Sequence, residues 1–555
     1  MRLSPQILEA VKSGAVPNRL DRVIASVAPV WGLSRMRARM TMAVGNTWTG
    51  ARQDLPEMRN FNPLSTSPVE DEDVWNRQTL ISRAADLIKN DAVAGGTINE
   101  LVTSVVGTGL SVHPEPLRKV LGWDEDYAAE WAQEVKERFD LWASSPTECD
   151  VERRRTFWQA QALAYRAELS RGDAFVLLPR LRHPGSVWNL KLQVLEGDRV
   201  LTPPGMRDTE ALTQGVACDA YGAPTGYWVS KRYPGTLRGI TKDDFGSVPT
   251  PAFDAQGRPN VLHLYHELRP GQRRGLPLLA PVIAVLKQLS RLSEAELAAA
   301  VVTSFFAVAI TKNGSGPGPL GVPTKDSSGQ GFAELGPAIV ADLNPGETIT
   351  NVAPVRPNGA FDPFWRSLVG QISLRTQIPP EVLLKKFESS YTAARGALLQ
   401  FGKVITVERD SHLTTRLCQP VYELWLAEDI AAGRTVAPGF FKDPFLRAAL
   451  CSARWIGDAL PILDPLKEVL AAQERINYTL STRSEQTTML GGGDFDVNVE
   501  KAARERKKLK ESGLIPEPAP ASVPIDPNPT LPDGSKQDDT NARRIGLLKL
   551  AMEAS

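Results

Sequence analysis

The chain has 555 residues, of which 42% are hydrophobic and 23% are charged, enough for roughly three or four domains of ordinary size. Its 64 Lys and Arg residues balance 64 Asp and Glu residues, so net charge provides no overall attraction to nucleic acid or to an anionic membrane. The four cysteines lie far apart without a CxxC pair, which argues against a disulfide framework and against a zinc site built from four thiolates.

The N-terminal part of the chain is interpreted as an arm followed by helices. Residues 1–70 mix Arg, Gly, Pro and Asn without periodicity, which is typical of a flexible segment. From 74 to 106 apolar residues recur every three or four positions, which predicts two helices separated at Gly95 and Gly96. The same pattern predicts further helices over 127–142 and 156–169.

The middle of the chain changes from strands to a long helix. Between 172 and 265, short β-rich runs alternate with Pro and Gly, which predicts an antiparallel sheet region. A long helix is then expected from Pro277 to about 306, because the fixed φ of proline suits the first turn. Residues 311–360 are dominated by Gly and Pro and are interpreted as a small inserted module.

Two more long helices are expected after the insertion. The first begins at Asp362 as its N-cap and ends at about 378, because the prolines that follow disfavour helical backbone. A polar loop at 383–391 separates it from a helix over 392–431 with a predicted kink at Pro420.

The C-terminal part is expected to be helical and then disordered. Helices are predicted at 465–480 and 497–512, whereas closely spaced prolines make 516–555 a disordered tail. The longest apolar run, 297–310, is shorter than the ~20 residues that a membrane-spanning helix needs. No membrane association is therefore expected.

The sequence HLYHEL contains the best candidate for a metal site, formed by His263, His266 and Glu267. Two imidazoles three positions apart could share one face of a helix, but in a strand they would point to opposite faces. The chain has neither an HExxH motif nor a phosphate-binding loop with its lysine. We expect no metal and no cofactor, and keep a metal-dependent hydrolase or other enzyme that uses these three residues as the alternative.

Acidic residues near the C-terminus show a partial calcium-loop pattern. Asp494, Asp496, Asn498 and Glu505 occupy ligand positions, but Val499 stands where such a loop requires glycine. Asp496 is better explained as the N-cap of the following helix.

Two groups of basic residues are candidates for contact with nucleic acid. Arg504, Lys507 and Lys508 lie on the 497–512 helix, and Lys385 and Lys386 lie in the 383–391 loop. Local Lys and Arg can release counterions from phosphates even when net charge is zero. The simpler interpretation is a solvated helix face or ion pairing with neighbouring carboxylates.

Several separate stretches resemble the lambda-type portal family of tailed bacteriophages, and they occur in the order typical of that family. The resemblance covers about 70–515, and the stretches that carry it are 74–110, 194–203, 269–300, 387–401 and 462–485. The succession of helix, Gly-rich insertion, helix, polar loop and long helix is likewise similar to the portal fold.

This resemblance implies a structural protein rather than an enzyme. It implies a dodecameric ring at one capsid vertex, assembled in the host cytoplasm and retained in the virion, through which double-stranded DNA is packaged and ejected. The implied partners are the terminase large subunit, head-completion or adaptor proteins, and the major capsid and scaffold proteins.

The resemblance also implies an α+β, mainly helical fold divided into portal segments. Outside the 1–70 arm and the 516–555 tail, the implied segments are the wing at 71–275 and 392–454, the stem helices at 276–310 and 361–379, the clip at 311–360, the tunnel loop at 380–391 and the crown at 455–515. The residues expected to contact DNA are Lys385, Lys386, Ser389 and Ser390 in the tunnel loop, and Arg504, Lys507 and Lys508 in the crown.

Overall fold

The computed structural model describes most of the chain between 69 and 514. The described residues are 31, 69–235, 246–305, 309–312, 324–325, 331–332, 347–350, 359–388, 390–459, 464–491, 493–512 and 514. The predicted tail lies outside these residues, as do nearly all of the arm and most of the 311–360 insertion. Within the described part of the chain, no helix is long and apolar enough to cross a membrane.

The N-terminal half begins with a layer of helices. They are α1 Val69–Asn90, α2 Ala92–Val105, α3 Arg118–Leu121, α4 Glu125–Ser144, α5 Pro146–Cys149 and α6 Phe157–Arg171, with strand β1 Ser111–Pro114 between α2 and α3. Thr156 and Gln159 form a reciprocal capping box at the start of α6. The helices predicted over 127–142 and 156–169 are therefore confirmed.

The predicted break at Gly95 and Gly96 is wrong, because both glycines lie inside α2. The break occurs at Asp91, whose carboxylate accepts a hydrogen bond from the backbone N–H of Ala94 at 2.8 Å and so caps α2. A side chain at Gly95 would meet the carbonyl oxygen of Ile88 at 2.8 Å. Glycine is therefore needed here for close approach of α2 to the end of α1.

The middle region contains two antiparallel sheets, as the sequence predicts. The strands are β2 Asp173–Leu177, β3 Gln193–Glu196, β4 Leu212–Thr213, β5 Val216–Cys218, β6 Pro224–Ser230, β7 Ser247–Pro251 and β8 Val261–Tyr265. One sheet has the order β3-β2-β8 and the other the order β4-β5-β6-β7. In the first sheet Phe175 lies opposite His263. Phe175 also contacts Tyr227 of the second sheet edge to face, so the two sheets share a small core.

The first long helix starts later than Pro277. A single 3₁₀ turn at Ala280–Val282 precedes α7, which spans Ile283–Phe305. Only short strand fragments of the insertion are described, namely β9 Ala309–Lys312, β10 Thr324–Lys325, β11 Gly331–Phe332 and β12 Glu347–Thr350. Strand β9 pairs antiparallel with β12, which brings the two ends of the insertion together.

The next helix, α8, spans Phe361–Thr376, and its N-cap is Ala360 rather than Asp362. Asp362 lies in the first turn, where its carboxylate pairs with Nε of Arg366 at 2.8 Å. The helix ends as predicted, with Gln377 in the left-handed region just before the prolines.

The segment predicted as a polar loop begins with a short helix. This helix, α9 Pro380–Leu384, packs its apolar side chains against the main core. The long helical stretch after it consists of α10 Tyr391–Val407, a π-helical segment Glu408–Cys418 and α11 Gln419–Ala431. The irregularity is thus the π-helical segment, and Pro420 lies just beyond it at the start of α11.

The C-terminal part is helical with one strand. It contains α12 Pro444–Leu450, β13 Ala453–Ile456, α13 Pro465–Asn477, α14 Arg483–Gly491 and α15 Phe495–Glu511. Strand β13 pairs antiparallel with β1. The N-cap of α15 is Asp494, which accepts from the backbone N–H of Asp496 at 2.9 Å, so the prediction of Asp496 as the cap is wrong.

One large hydrophobic core joins the helices from both halves of the chain. Phe139 of α4 lies at its centre, where its ring contacts Phe157 of α6 and Trp425 of α11 edge to face at 5.7 and 5.1 Å. All three side chains are fully buried or nearly so. Because α11 is far in sequence from α4 and α6, this core forms only when the two halves of the chain pack together.

Two glycines allow the segment before α7 to lie against the end of α6. A Cβ atom added at Gly275 would overlap the carbonyl oxygen of Gly172, and Gly172 has a φ of +93°. We predict that Gly275→Ala lowers the free energy of unfolding by at least about 2 kcal/mol, because the backbone oxygen cannot move aside. Urea denaturation of the purified chain measures the change.

The matched control is Gly370→Ala on α8, where no atom lies within 4 Å of the added Cβ. Because alanine is the better helix former, this variant should be as stable as the parent or more so by up to about 1 kcal/mol. Equal destabilisation by both variants would contradict the close approach.

Candidate functional site

The residues of the HLYHEL sequence do not form one site. His263 lies on β8 with its ring stacked on Phe175 at 4.1 Å. His266 lies beyond the end of the strand, where its Nδ1 is 2.8 Å from Oε1 of Glu168. Glu267 lines an open cleft of about 1290 Å³ beside the four-stranded sheet. The three side chains therefore do not provide the metal site of a hydrolase.

His263 belongs to a buried network centred on Asp173, the first residue of β2. The Asp173 carboxylate accepts a hydrogen bond from Nη2 of Arg77 at 2.9 Å and pairs with Arg274 through Nε and Nη2. The Nε2 atom of His263 is 3.5 Å from the same carboxylate. Although burial opposes ionisation, Arg274 and Arg77 hold the pKa of Asp173 well below its usual range, and burial lowers the pKa of Arg77 to about 10.

His266 belongs to a second cluster, in which two carboxylates meet two imidazoles. Glu168 of α6 lies against His266 and also against His412 of the π-helical segment, with Oε1 2.7 Å from Nε2 of His412. The Nε2 atom of His266 is 3.1 Å from both carboxylate oxygens of Glu408. Tyr165 donates its hydroxyl to Glu408 at 3.1 Å.

The two carboxylates strongly affect His266. Despite the opposing effect of burial, hydrogen bonding and charge from Glu168 and Glu408 raise the pKa of His266 to about 10. The pKa values of both carboxyl groups lie below their usual range; burial opposes this, but the imidazoles outweigh it. We call Glu168, His266, Glu408 and His412 the Glu168 cluster. Sequence spacing could not reveal it, because Glu168 and His412 are 244 positions apart.

The residues predicted to contact DNA around 385 are largely exposed and partly paired. Lys385 is the C-cap of α9, and its Nζ is 3.7 Å from Oε2 of Glu100 although its side chain is 80% exposed. Lys386 is exposed. Ser390 is the N-cap of α10 and accepts from the backbone N–H of Ala393. Ser389 lies outside the described residues.

The other predicted DNA-contacting residues, Arg504, Lys507 and Lys508, lie on α15. No residue of this helix is buried, and Arg504 is within 3.5 Å of Glu500 one turn away. The helix is anchored at its N-terminus instead, where Oδ2 of Asp494 lies 3.0 Å from Nδ1 of His113 on β1. Asp494 thus serves as a helix cap that also contacts His113, rather than as the first ligand of a calcium loop.

Comparison with known proteins identifies the family that this chain resembles. The family model described as phage portal protein, lambda family, matches residues 55–409. The portal protein of Escherichia phage N15 is 24% identical over 509 residues, which cover 88% of this chain and 94% of that relative. Portal protein B of Escherichia phage lambda is 24% identical over 483 residues, which cover 83% of this chain and 89% of that relative.

Solved structures of phage-like particles also align with the chain. The neck of a native gene transfer agent (GTA) particle, computed with C12 symmetry, aligns with a TM-score of 0.43 at 13% identity. The alignment covers 76% of this chain and 94% of the chain in that structure. The neck of an empty GTA particle, computed with C6 symmetry, aligns with a TM-score of 0.40 at 14% identity. This alignment covers 75% of this chain and 93% of the chain in that structure.

The burial of His113 beside Asp494 predicts how the free energy of unfolding depends on pH. Burial lowers the pKa of His113 to about 4, and the weaker effect of Asp494 does not offset it. The unfolded chain has a histidine pKa near ~6.5, so between pH 6.5 and 4 the unfolded state binds more protons than the folded state. The contribution of His113 to the free energy of unfolding is therefore complete above pH 6.5 and declines as the pH falls to 4.

We predict that His113→Gln loses less thermal stability than the parent when the pH falls from 7 to 4.5. Differential scanning calorimetry at matched ionic strength measures the two midpoints. His183→Gln is the control, because it makes the same exchange of histidine for glutamine elsewhere in the fold. A parallel pH profile for His113→Gln and the parent would refute the assignment.

Proposed function

Because the chain belongs to the lambda family of phage portal proteins, we propose that twelve copies form the ring at the unique vertex of a phage capsid and that double-stranded DNA passes through it. The family match over 55–409 is the observation that carries this conclusion. The chain is a portal-ring protein of the virion, and its family is structural rather than enzymatic. The hydrolase alternative has no support, because its three residues do not converge.

The same family assignment supports roles for individual segments of the chain. We propose that α7 and α8 are the stem, the 311–360 insertion is the clip, 380–391 is the tunnel loop, and α13 to α15 are the crown. The clip would dock the terminase large subunit and later the head-completion or adaptor proteins. The wing would meet the major capsid and scaffold proteins during assembly in the host cytoplasm.

Exposed apolar helix faces support assembly of the chain with further copies. On α13, Leu466, Val469 and Leu470 are spaced as neighbours on one helix face, and each is more than half exposed. Leu297 on α7 and Leu374 on α8 are 68% and 83% exposed. Apolar faces of this kind on several helices mark interaction surfaces, and a closed ring covers such surfaces in every subunit.

The charge around the tunnel loop suits transient contact with passing DNA. Lys385 and Lys386 are exposed, whereas Glu388 is held by Arg366 at 2.8 Å. Arg366 thus offsets the charge of Glu388, and Lys386 and the more distantly paired Lys385 are the positive groups at the loop. Exposed charges are screened beyond about 10 Å at 0.1 M salt, so the lysines would attract phosphate only at short range.

The α13 face yields a test of ring formation. We predict that Leu466→Asp combined with Leu470→Asp greatly reduces the fraction of protein in rings, because two carboxylates would have to be buried between subunits. Negative-stain microscopy and light scattering measure ring number and mass. Ala129→Asp on α4 is the control, because it adds a carboxylate at an exposed helix position outside the α13 face and should leave rings intact.

If the unmodified chain stays monomeric at micromolar concentration even with its scaffold protein, the ring proposal fails. If rings form equally well with both Asp substitutions, the α13 face is not between subunits.

The tunnel loop yields a test of DNA contact. We predict that Lys385→Ala with Lys386→Ala leaves ring assembly intact but shortens the packaged genome or reduces its retention, since up to twelve copies of each lysine are lost. Gel analysis of DNA from assembled particles gives the length and retained amount. Lys442→Ala removes an exposed lysine remote in sequence from the loop and serves as the control. A double variant that assembles poorly yet packages full-length DNA would instead indicate that the lysines pair with carboxylates.

A further inference from the structure

The Glu168 cluster contains a set of converging ligand atoms that portal function does not use. Oε1 of Glu168 lies 2.8 Å from Nδ1 of His266 and 2.7 Å from Nε2 of His412. Oε2 of the same carboxylate lies 2.9 Å from Nε2 of His412. One ligand atom from each of the three residues lies within 4.8 Å of the others, so the three atoms are close enough together to bind a single metal ion.

Charge balance favours a divalent cation among these ligand atoms. Glu168 and Glu408 together carry two negative charges, and the Glu168 side chain is almost completely removed from solvent. One divalent cation bound by two neutral imidazoles neutralises both carboxylates, and it replaces the proton that His266 otherwise holds between them. Arg375 lines the adjoining cavity but forms no ion pair with either carboxylate in the part of the chain described.

The ligand types select zinc among the common divalent ions. Two imidazole nitrogens and one carboxylate oxygen form a three-residue zinc set, and water can complete the tetrahedron. A cavity of about 170 Å³ beside the cluster, lined by Glu168, His266 and Glu408, has room for that water. The remaining ring nitrogen of His266 faces Glu408, which matches the carboxylate that usually orients a zinc-bound histidine.

We propose that Glu168, His266 and His412 form a structural Zn²⁺ site that joins α6 and the end of β8 to the π-helical segment. The imidazole rings now stack with centroids 4.0 Å apart, and a nitrogen lone pair lies in the plane of its ring. Zinc therefore binds after one ring tilts away from the other. His266 is the ring that can move, because its side chain is 40% exposed whereas that of His412 is 10% exposed.

The test measures zinc bound to the full-length chain after removal of metal with a chelator and re-equilibration with zinc. We expect about one Zn²⁺ per chain, a higher thermal midpoint with zinc, and the visible spectrum of tetrahedral cobalt when Co²⁺ replaces it. His266→Gln and His412→Gln should abolish this binding. Glu408→Gln should weaken it ~10–100-fold, because only the orientation of His266 is lost.

His183→Gln is the control and should bind zinc like the parent. Circular dichroism verifies that each variant is folded, and His266→Gln alters a partly exposed side chain, which keeps the test decisive if the buried His412 variant fails to fold. If the parent binds no zinc at micromolar concentration, or if His266→Gln binds as much as the parent, the inference is overturned. The readout does not depend on ring formation, so it stands apart from the portal proposal.

Discussion

The buried carboxylate of Asp173 is the interaction on which the packing of residues 69–275 depends. Arg77 reaches it from α1, Arg274 reaches it from the segment before α7, and His263 lies beside it on β8. Arg274 also donates to the backbone carbonyls of Gly197 and Val200. One negative charge thus connects the helical layer, the two sheets and the segment before α7. Removal of one partner from such a network typically costs about 3–5 kcal/mol, because the remaining charge stays buried.

This arrangement fixes the start of α7 against α6 and leaves apolar side chains further along α7 exposed, which suits a subunit of a ring. Next to the Asp173 network, Gly172 and Gly275 permit backbone contact between the end of α6 and the entry to α7. The first long helix therefore leaves a fixed base, while its far end carries exposed apolar residues such as Leu297. Families that form rings require this combination, since a subunit must hold its own shape and still offer faces to its neighbours.

The π-helical segment connects the same base to the rest of the long helical stretch. Its wider turn places Glu408 and His412, four residues apart, on the side that meets α6. Tyr165 and Glu168 approach from α6, so the contact between the two helices is polar and charged inside an otherwise apolar core. Polar groups in such a position specify one packing arrangement more strictly than apolar side chains do. This contact therefore fixes the π-helical segment, which continues α10, against α6.

The sequence by itself determined the features that depend on short-range physics. The periodicity over 127–142 predicted α4, the alternating runs after 172 predicted antiparallel strands, and the prolines after 378 predicted the end of α8, because each signal acts within a few residues. The motifs that resemble the lambda-type portal family also lie along the chain, and the family is confirmed.

Only the tertiary structure decided which polar residues act together. Asp91 rather than Gly95 ends α1 partly because its carboxylate also accepts a hydrogen bond from the hydroxyl of Ser290 on α7. Asp494 likewise caps α15 while it contacts His113 on β1. The Glu168 cluster draws on α6, the end of β8 and the π-helical segment. His263 and His266 separate because β8 ends at Tyr265, between them. Such partners are selected by the packing of distant elements, which local spacing does not encode.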